Sequence, residues 1–164
     1  MTTGSTAPEE AARPAVGADL ASIVGLAGEL RTHTSTQRGG PLWASHDALA
    51  RPSVESLTRR LADPRVATFV GTLDDHVLAY GLAHLEDLDD TGPLGVIDEL
   101  FVSLPARAVA LGETILAAMV AWCINQHCAA IDATALPGDR AAKNFFESAG
   151  FKARSLTMHK SLTT

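Results

Sequence analysis

The chain has 164 residues, of which 46% are hydrophobic and 20% charged, and only 5% are aromatic. That is the size and composition of one globular domain whose core is built from Ala, Leu, Val and Ile, with no need of disulfides to fold. A formal charge of -6 and an isoelectric point near 5.4 leave no concentrated basic surface for nucleic acid, and no apolar run approaches the ~18–20 residues a membrane span needs.

Residues 1–10 are polar, lack a basic start or an apolar signal core, and read as a disordered N-terminal tail. Ala11 to Val16 follows as a short strand. Asp19 then caps an apolar-periodic helix through Leu20, Ile23, Val24, Ala27 and Leu30. Thr32 to Ser45 is polar and contains Gly39, Gly40, Pro41 and Trp43, so it reads as a loop, and Ser53 starts a second helix that runs to Leu61. Val66–Leu73 and Val77–Leu85 are strand-like runs on either side of Asp74, Asp75 and His76, the spacing of an antiparallel hairpin.

Gly95–Ser103 is a third strand, broken by the acidic pair Asp98 and Glu99. The strongest helical pattern comes next, with Gly112, Ile115, Leu116, Met119, Val120 and Cys123 recurring at three- and four-residue steps. Ala129–Thr134 is a short strand, and Asp139 caps a helix that Gly150 stops. Phe151–Leu162 supplies a closing strand or hairpin. Cys123 and Cys128 read as buried reduced thiols, as expected of a cytoplasmic protein. Cys123 and His127 share a helix face, but no third ligand stands near them in sequence and no metal is expected.

Two segments carry chemistry together. From Ile97 to Leu116 an apolar strand passes through a loop containing Arg107 into a helix whose start is lined by the small residues Ala108, Ala110 and Gly112. Unpaired N–H groups at a helix start, with the positive end of its dipole, suit a diphosphate. The second segment, Asp139 to Phe151, is a short helix ended by Gly-Phe.

The pair resembles the GNAT N-acetyltransferase superfamily, whose coenzyme loop reads Q/R-x-x-G-x-G/A and whose late helix reads N-x-x-A-x-x-F-Y-E-x-x-G-F. Arg107 to Gly112 matches the first pattern with Ala110 in place of its leading glycine. Ala142, Phe145, Glu147, Gly150 and Phe151 match the second, with Asp139 for the asparagine and Phe146 for the tyrosine. The resemblance implies an α+β fold, a single GNAT-like domain over residues 11–164 with a central, mostly antiparallel mixed sheet flanked by about four helices.

It also implies an N-acetyltransferase that moves an acetyl group from acetyl-CoA, as cosubstrate, to a primary amine, a small and possibly cationic one by preference, in a ternary complex. The alternative is a catalytically degenerate acyl-CoA-binding or protein-interaction module. On the resemblance, Leu100 and Val102 hold the pantetheine arm by their main chain, and Arg107, Ala108, Val109, Ala110, Leu111 and Gly112 cradle the diphosphate. Ala110 serves there if its φ is negative, and the single basic residue of the loop points to weak coenzyme affinity.

Glu99 is the first candidate for the base, Asp98 the second, and the Leu100 N–H polarises the thioester. Successive strand residues point to opposite faces, so without a bulge one acid alone can face the acceptor. Phe146 cannot protonate the departing thiolate as the family tyrosine does, which leaves water or Ser148, and Tyr80 reads as core. The loop with Glu86, Asp87, Asp89 and Asp90 suits a cationic acceptor, whereas Arg31, His33, Arg38 and Trp43 suit an anionic or aromatic one. A homodimer would be usual for the family.

Overall fold

The computed structural model describes residues 9–47 and 51–162. Strand β1 (Glu10–Pro14) leads through a 3-10 turn at Gly17–Asp19 into α1 (Leu20–Ser35). A single turn, α2 (Gly40–Leu42), and a π-type turn at Trp43–Asp47 precede α3 (Val54–Ala62). Next come β2 (Val66–Leu73), β3 (His76–Glu86) and β4 (Leu94–Val102). A 3-10 turn at Leu104–Ala106 opens into α4 (Leu111–Asn125), followed by β5 (Ala130–Ala133) and α5 (Arg140–Ser148). The strands lie in sequence order across one sheet, antiparallel except for the parallel pair β4–β5. This is the expected mostly antiparallel α+β domain, with α2 adding a fifth, one-turn helix.

Strand alternation divides the core into two layers. Tyr80 and Leu82 of β3 join Ile23, Ala27 and Leu30 of α1 on one face, while Ala79 and Ala83 join Ile115 and Met119 of α4 on the other. The α4 face is paved with small residues, which lets the helix lie close. A Cβ on Gly81 would stand 2.6 Å from Met119 Sδ, one on Gly71 2.9 Å from Ile115 Cδ1, and one on Gly95 2.4 Å from Cys123 Sγ. Gly81→Ala would therefore overpack this layer, a change that costs about 1–3 kcal/mol in well-packed cores.

The local signals at three helix ends are met. Ser53 Oγ accepts the Ser56 N–H at 3.1 Å, Asp139 Oδ1 accepts the Ala142 N–H at 2.9 Å, and Gly150 takes φ +91° beyond α5. Three expectations are corrected. Asp19 makes no capping bond to α1, because its carboxylate receives the Arg13 guanidinium at 2.7 and 2.9 Å and the Val16 N–H at 2.8 Å. Glu9 and Glu10 belong to the fold instead of a tail, since Glu9 exchanges bonds with Asp74 and Glu10 opposes Leu73; the rest of the expected tail, residues 1–8, lies outside the described residues.

Residues 151–162 form no strand. Their apolar side chains Leu156, Met158 and Leu162 are 78%, 83% and 89% exposed, so no layer of the domain covers them and their burial cannot drive strand formation. Arg154 ties the segment to Asp132 of β5 by an ion pair.

Candidate active site

The site begins with a fault in the β3–β4 ladder. Leu82 opposes Glu99 and Ala83 opposes Ile97, so Asp98 is an extra residue on β4, a β-bulge. The bulge removes the choice that strict alternation imposes. Asp98 and Glu99 both turn to the face covered by α1 and α3, where each finds an arginine.

Glu99 is 3% exposed. Its Oε1 accepts Arg31 Nη2 at 2.9 Å and its Oε2 accepts the Tyr80 hydroxyl at 2.6 Å. Arg31 is fixed in turn by the Ala27 carbonyl at 3.0 Å, and its guanidinium stands 5.8 Å from the centre of the Trp43 ring. Burial, reinforced by the Glu99 charge, pushes the Tyr80 hydroxyl far above its ordinary range, so it stays a donor. Asp98 accepts His84 Nδ1 at 2.7 Å and Arg60 Nη2 at 3.1 Å. Burial raises its carboxyl above the usual value, against the opposing pull of His84 and Arg60.

Beyond the bulge the sheet divides. Pairing of β4 with β5 ends at Ile97 opposite Ala133, while β4 runs on to Val102 with no strand on that side among the described residues. A cleft of about 80 Å³ opens at the fork, lined by Asp98, Glu99, Leu100, Trp43, Leu136 and Phe146 among others. The loop before α2 packs against the turn before α5, where a Cβ on Gly138 would lie 2.9 Å from the Arg38 nitrogen.

Past the unpaired stretch, the corner into α4 is held by the Ser103 N–H on the Leu78 carbonyl and by Ser103 Oγ on Glu29 Oε2 at 3.1 Å. The N–H groups of Arg107 and Val109 bond to the carbonyls of Leu104 and Ala106. Those of Ala108, Ala110, Leu111 and Gly112 have no acceptor among the described residues, and no side chain caps the helix. Ala110 takes φ -78°, a conformation open to any residue. Gly112 has a packing role, since a Cβ there would lie 3.2 Å from Phe145 of α5. The Arg107 side chain folds back over β4, 5.5 Å from the Phe101 ring centre.

A strand pair that forks beside an uncapped helix start is matched at the level of sequence. The model of the Acetyltransferase (GNAT) family matches residues 34–151. The chain belongs to this family. It is a GNAT acyltransferase, and the family uses acetyl-CoA. Among curated proteins no sequence matches it.

Solved structures share the GNAT fold over nearly their whole length. A variant of the BH1408 protein from Bacillus halodurans is 19% identical, with a TM-score of 0.76 and coverage of 93% of this chain and 99% of that one. Glucosamine-6-phosphate N-acetyltransferase from Arabidopsis thaliana is 17% identical, with a TM-score of 0.68 and coverage of 94% and 99%. AAC(6')-Iy in complex with the bisubstrate analogue CoA-S-monomethyl-acetylneamine is 17% identical, with a TM-score of 0.71 and coverage of 93% and 99%.

The structure brings Asp98, Glu99 and Leu100 together in the cleft and places Val102 and Arg107–Gly112 around the corner beyond it. Phe146 lines the cleft, whereas Ser148 is exposed and donates to the Phe145 carbonyl of its own helix, which removes it as a stand-in for the family tyrosine. Tyr80 is core, as its strand position suggested. Arg31, read from sequence as part of an acceptor loop, turns inward to Glu99. Sequence reasoning missed His84 and Arg60, whose sole advance signal was a polar residue amid an apolar strand and a cation on a helix beside the sheet. Cys123 packs over Gly95 and neighbours Cys128. Among the described residues there is no cluster of acids, His and Cys that could hold a metal, and no helix long and apolar enough to cross a membrane.

Proposed function

We propose that this GNAT domain transfers an acetyl group from acetyl-CoA to a primary amine, a small molecule by preference, by direct attack in a ternary complex. The observation that carries the reading is the fork. On the edge away from β3, β4 has no strand beside it from Asp98 to Val102 among the described residues, with the Arg107 Nε on the Val102 carbonyl at 3.4 Å. The acceptor-less amides of Ala108, Ala110, Leu111 and Gly112 follow at the positive end of α4. These groups fit a pantetheine arm and a diphosphate in succession, with Leu100 and Val102 for the first and the α4 amides, supported by Arg107, for the second. The thioester supplies an activated acyl group. The Leu100 N–H is assigned to its carbonyl oxygen, where negative charge gathers as the amine attacks.

An amine attacks as the neutral base, so a proton must be taken up near the fork. The geometry favours Asp98 over Glu99. Both acids line the cleft and each has both oxygens bonded, Glu99 to the Arg31 guanidinium and the buried Tyr80 hydroxyl, Asp98 to Arg60 and His84. The difference is that a histidine can exchange a proton with its partner, whereas Arg31 and Tyr80 give Glu99 no such outlet. Asp98 combines a raised carboxyl with a place in the cleft wall, as a base requires.

Calorimetric titration with acetyl-CoA, followed by thiol release against a panel of primary amines, tests the proposal. Binding with release that Asp98→Asn lowers by about 100-fold or more is the expected result. Binding without release from any amine would overturn the acceptor assignment. No binding would overturn the reading of the fork.

A further inference from the structure

Acetylation of an ammonium releases one proton per turnover: two N–H bonds break as one C–N bond forms, the departing thiolate takes one of the two protons, and one remains. A base as enclosed as Asp98 needs a way to pass that proton on. Its side chain is 8% exposed, and the cleft beside it is filled by the reactants during the reaction. Asp98 Oδ1 lies 2.7 Å from His84 Nδ1, and His84 Nε2 lies 3.2 Å from Glu86 Oε1. Side-chain exposure rises along this line from 8% to 31% to 54%. Glu86 opens on a groove of about 1010 Å³ that runs along β5 and the segment after α5 and adjoins the cleft at Thr134, Leu136 and Phe146, while Asp98 itself lines only the cleft. Three contiguous side chains thus connect the fork to solvent.

We propose that His84 relays the proton from Asp98 to Glu86 and bulk water between turnovers; the inference rests on the reading of Asp98 as base. The bonds balance in two transfers. The O–H of protonated Asp98 breaks as an N–H forms at His84 Nδ1, and the N–H at Nε2 breaks as the proton passes to the Glu86 carboxylate or to water; the ring, left protonated at Nδ1, then turns over so that its bare nitrogen again faces Asp98. Both ring nitrogens face carboxylate oxygens, which accept and do not donate, so the ring that satisfies both bonds is the doubly protonated one. That form is the intermediate of the relay.

The charges around the ring support it. Asp98 stands opposite on β4 and Glu86 beside it on β3. Arg60 of α3 holds the second Asp98 oxygen at 3.1 Å, and Arg154 of the C-terminal segment, paired with Asp132, lines the same groove as Glu86. Arg60 keeps Asp98 oriented without supplying a removable proton. Glu99 has no such outlet, because its partners are Arg31 and the fully buried Tyr80.

The test compares His84→Ala and His84→Gln with the unaltered chain by thiol release at saturating acetyl-CoA and amine, with and without added imidazole. The relay predicts a fall in kcat of about 10–100-fold in both variants, little change in the KM for amine, and unchanged acetyl-CoA binding by calorimetry. Added imidazole should restore His84→Ala in a concentration-dependent way, a response that a merely structural histidine would not give. His84→Gln retains a side-chain donor toward Asp98 and covers the case in which the alanine variant does not fold. Wild-type kcat in His84→Gln, or no rescue of a folded His84→Ala, would overturn the relay. Asp98→Asn separates the two claims: if it abolishes turnover while His84→Gln does not, the base stands and the relay falls, and if it retains turnover, the base itself is wrong.

Discussion

Arg31→Met is the sharpest probe of how the site is held. The Glu99 side chain is fully buried and that of Arg31 is 16% exposed, so their 2.9 Å bond lies in a region that water screens poorly. Removing the guanidinium leaves a buried carboxylate with the Tyr80 hydroxyl as its remaining named partner. Breaking a buried pair from one side typically costs about 3–5 kcal/mol, because the surviving charge is uncompensated. For a chain of this length, where 1 kcal/mol moves Tm by about 2–4 °C, the expected fall is roughly 6–20 °C. Urea denaturation read by tryptophan fluorescence measures it, with Trp43 reporting from beside Arg31. Adding Glu99→Gln should recover more than half of the loss, since the amide carries no charge and still accepts from Tyr80. A loss below about 1 kcal/mol, the value of an exposed pair, or no recovery in the double variant, would refute the account of Glu99 as a buried, paired anchor.

Phe146→Tyr should raise kcat in the thiol-release assay, because the ring lines the cleft and a hydroxyl there could protonate the departing thiolate, a role worth up to about 100-fold or more; an unchanged or lower rate would mean that the acid comes from elsewhere. Asp19 governs part of the acid limb of stability. Its bonds from Arg13, then from Val16, hold its carboxyl below the ordinary 3.8, so its contribution is present above that pH and is lost as pH falls through the lower folded value. Asp19→Asn should therefore be less stable at pH 7 and show a flatter decline below about pH 4, and parallel urea midpoints for both proteins across that range would count against it. Burial beside Cys128 pushes the Cys123 thiol up to about 12, so alkylation of the folded protein at pH 8 should modify Cys128 well before Cys123 by mass spectrometry. Equal labelling would contradict the packing of Cys123 over Gly95.

What the sequence discloses is what short spans of chain decide. The hairpin is legible because Asp74 and Asp75, both at positive φ, separate two runs of β-branched and apolar residues, and β2 has the bounds expected of it. Ser53, Asp139 and Gly150 mark helix ends by chemistry that acts over three residues. The bulge at Asp98 leaves only an ambiguous mark, since the adjacent acids of Ile97-Asp98-Glu99-Leu100 break the alternation without saying whether one acid turns to the opposite face or the strand bulges, and the fault is defined by its pairing with Leu82 and Ala83. The Arg31–Glu99 pair spans 68 residues and depends on that bulge, so no local pattern could assign it. The closing strand failed for the opposite reason. Phe151–Leu162 has the right residue types, but strand formation depends on what covers the apolar side, and this domain places nothing over Leu156 or Met158.

The same pairings change what the acidic character of the protein means at the fork. Glu99 is matched by Arg31, Asp98 by Arg60 and His84, and Asp139, the other acid of the cleft wall, is committed to capping α5. Two residues of the acidic loop are also engaged, Glu86 with His84 and Asp87 with Arg65. The groove beyond sets Glu86, Asp132 and Glu147 against Lys143, Lys152 and Arg154. The net charge of -6 therefore does not translate into an anionic cage, and an ammonium gains little by entering. Arg31 likewise offers no ready partner to an anionic acceptor, because its guanidinium is committed to Glu99 and the Ala27 carbonyl. On the proposed function, selection would rest on the shape of a small cleft walled by Trp43, Leu136 and Phe146, and on how readily the reacting nitrogen gives up its proton to the proposed base Asp98. An amine whose pKa lies near the working pH satisfies that second condition better than a strongly basic polyamine, which would have to surrender a well-held proton in surroundings that provide no compensating negative charge.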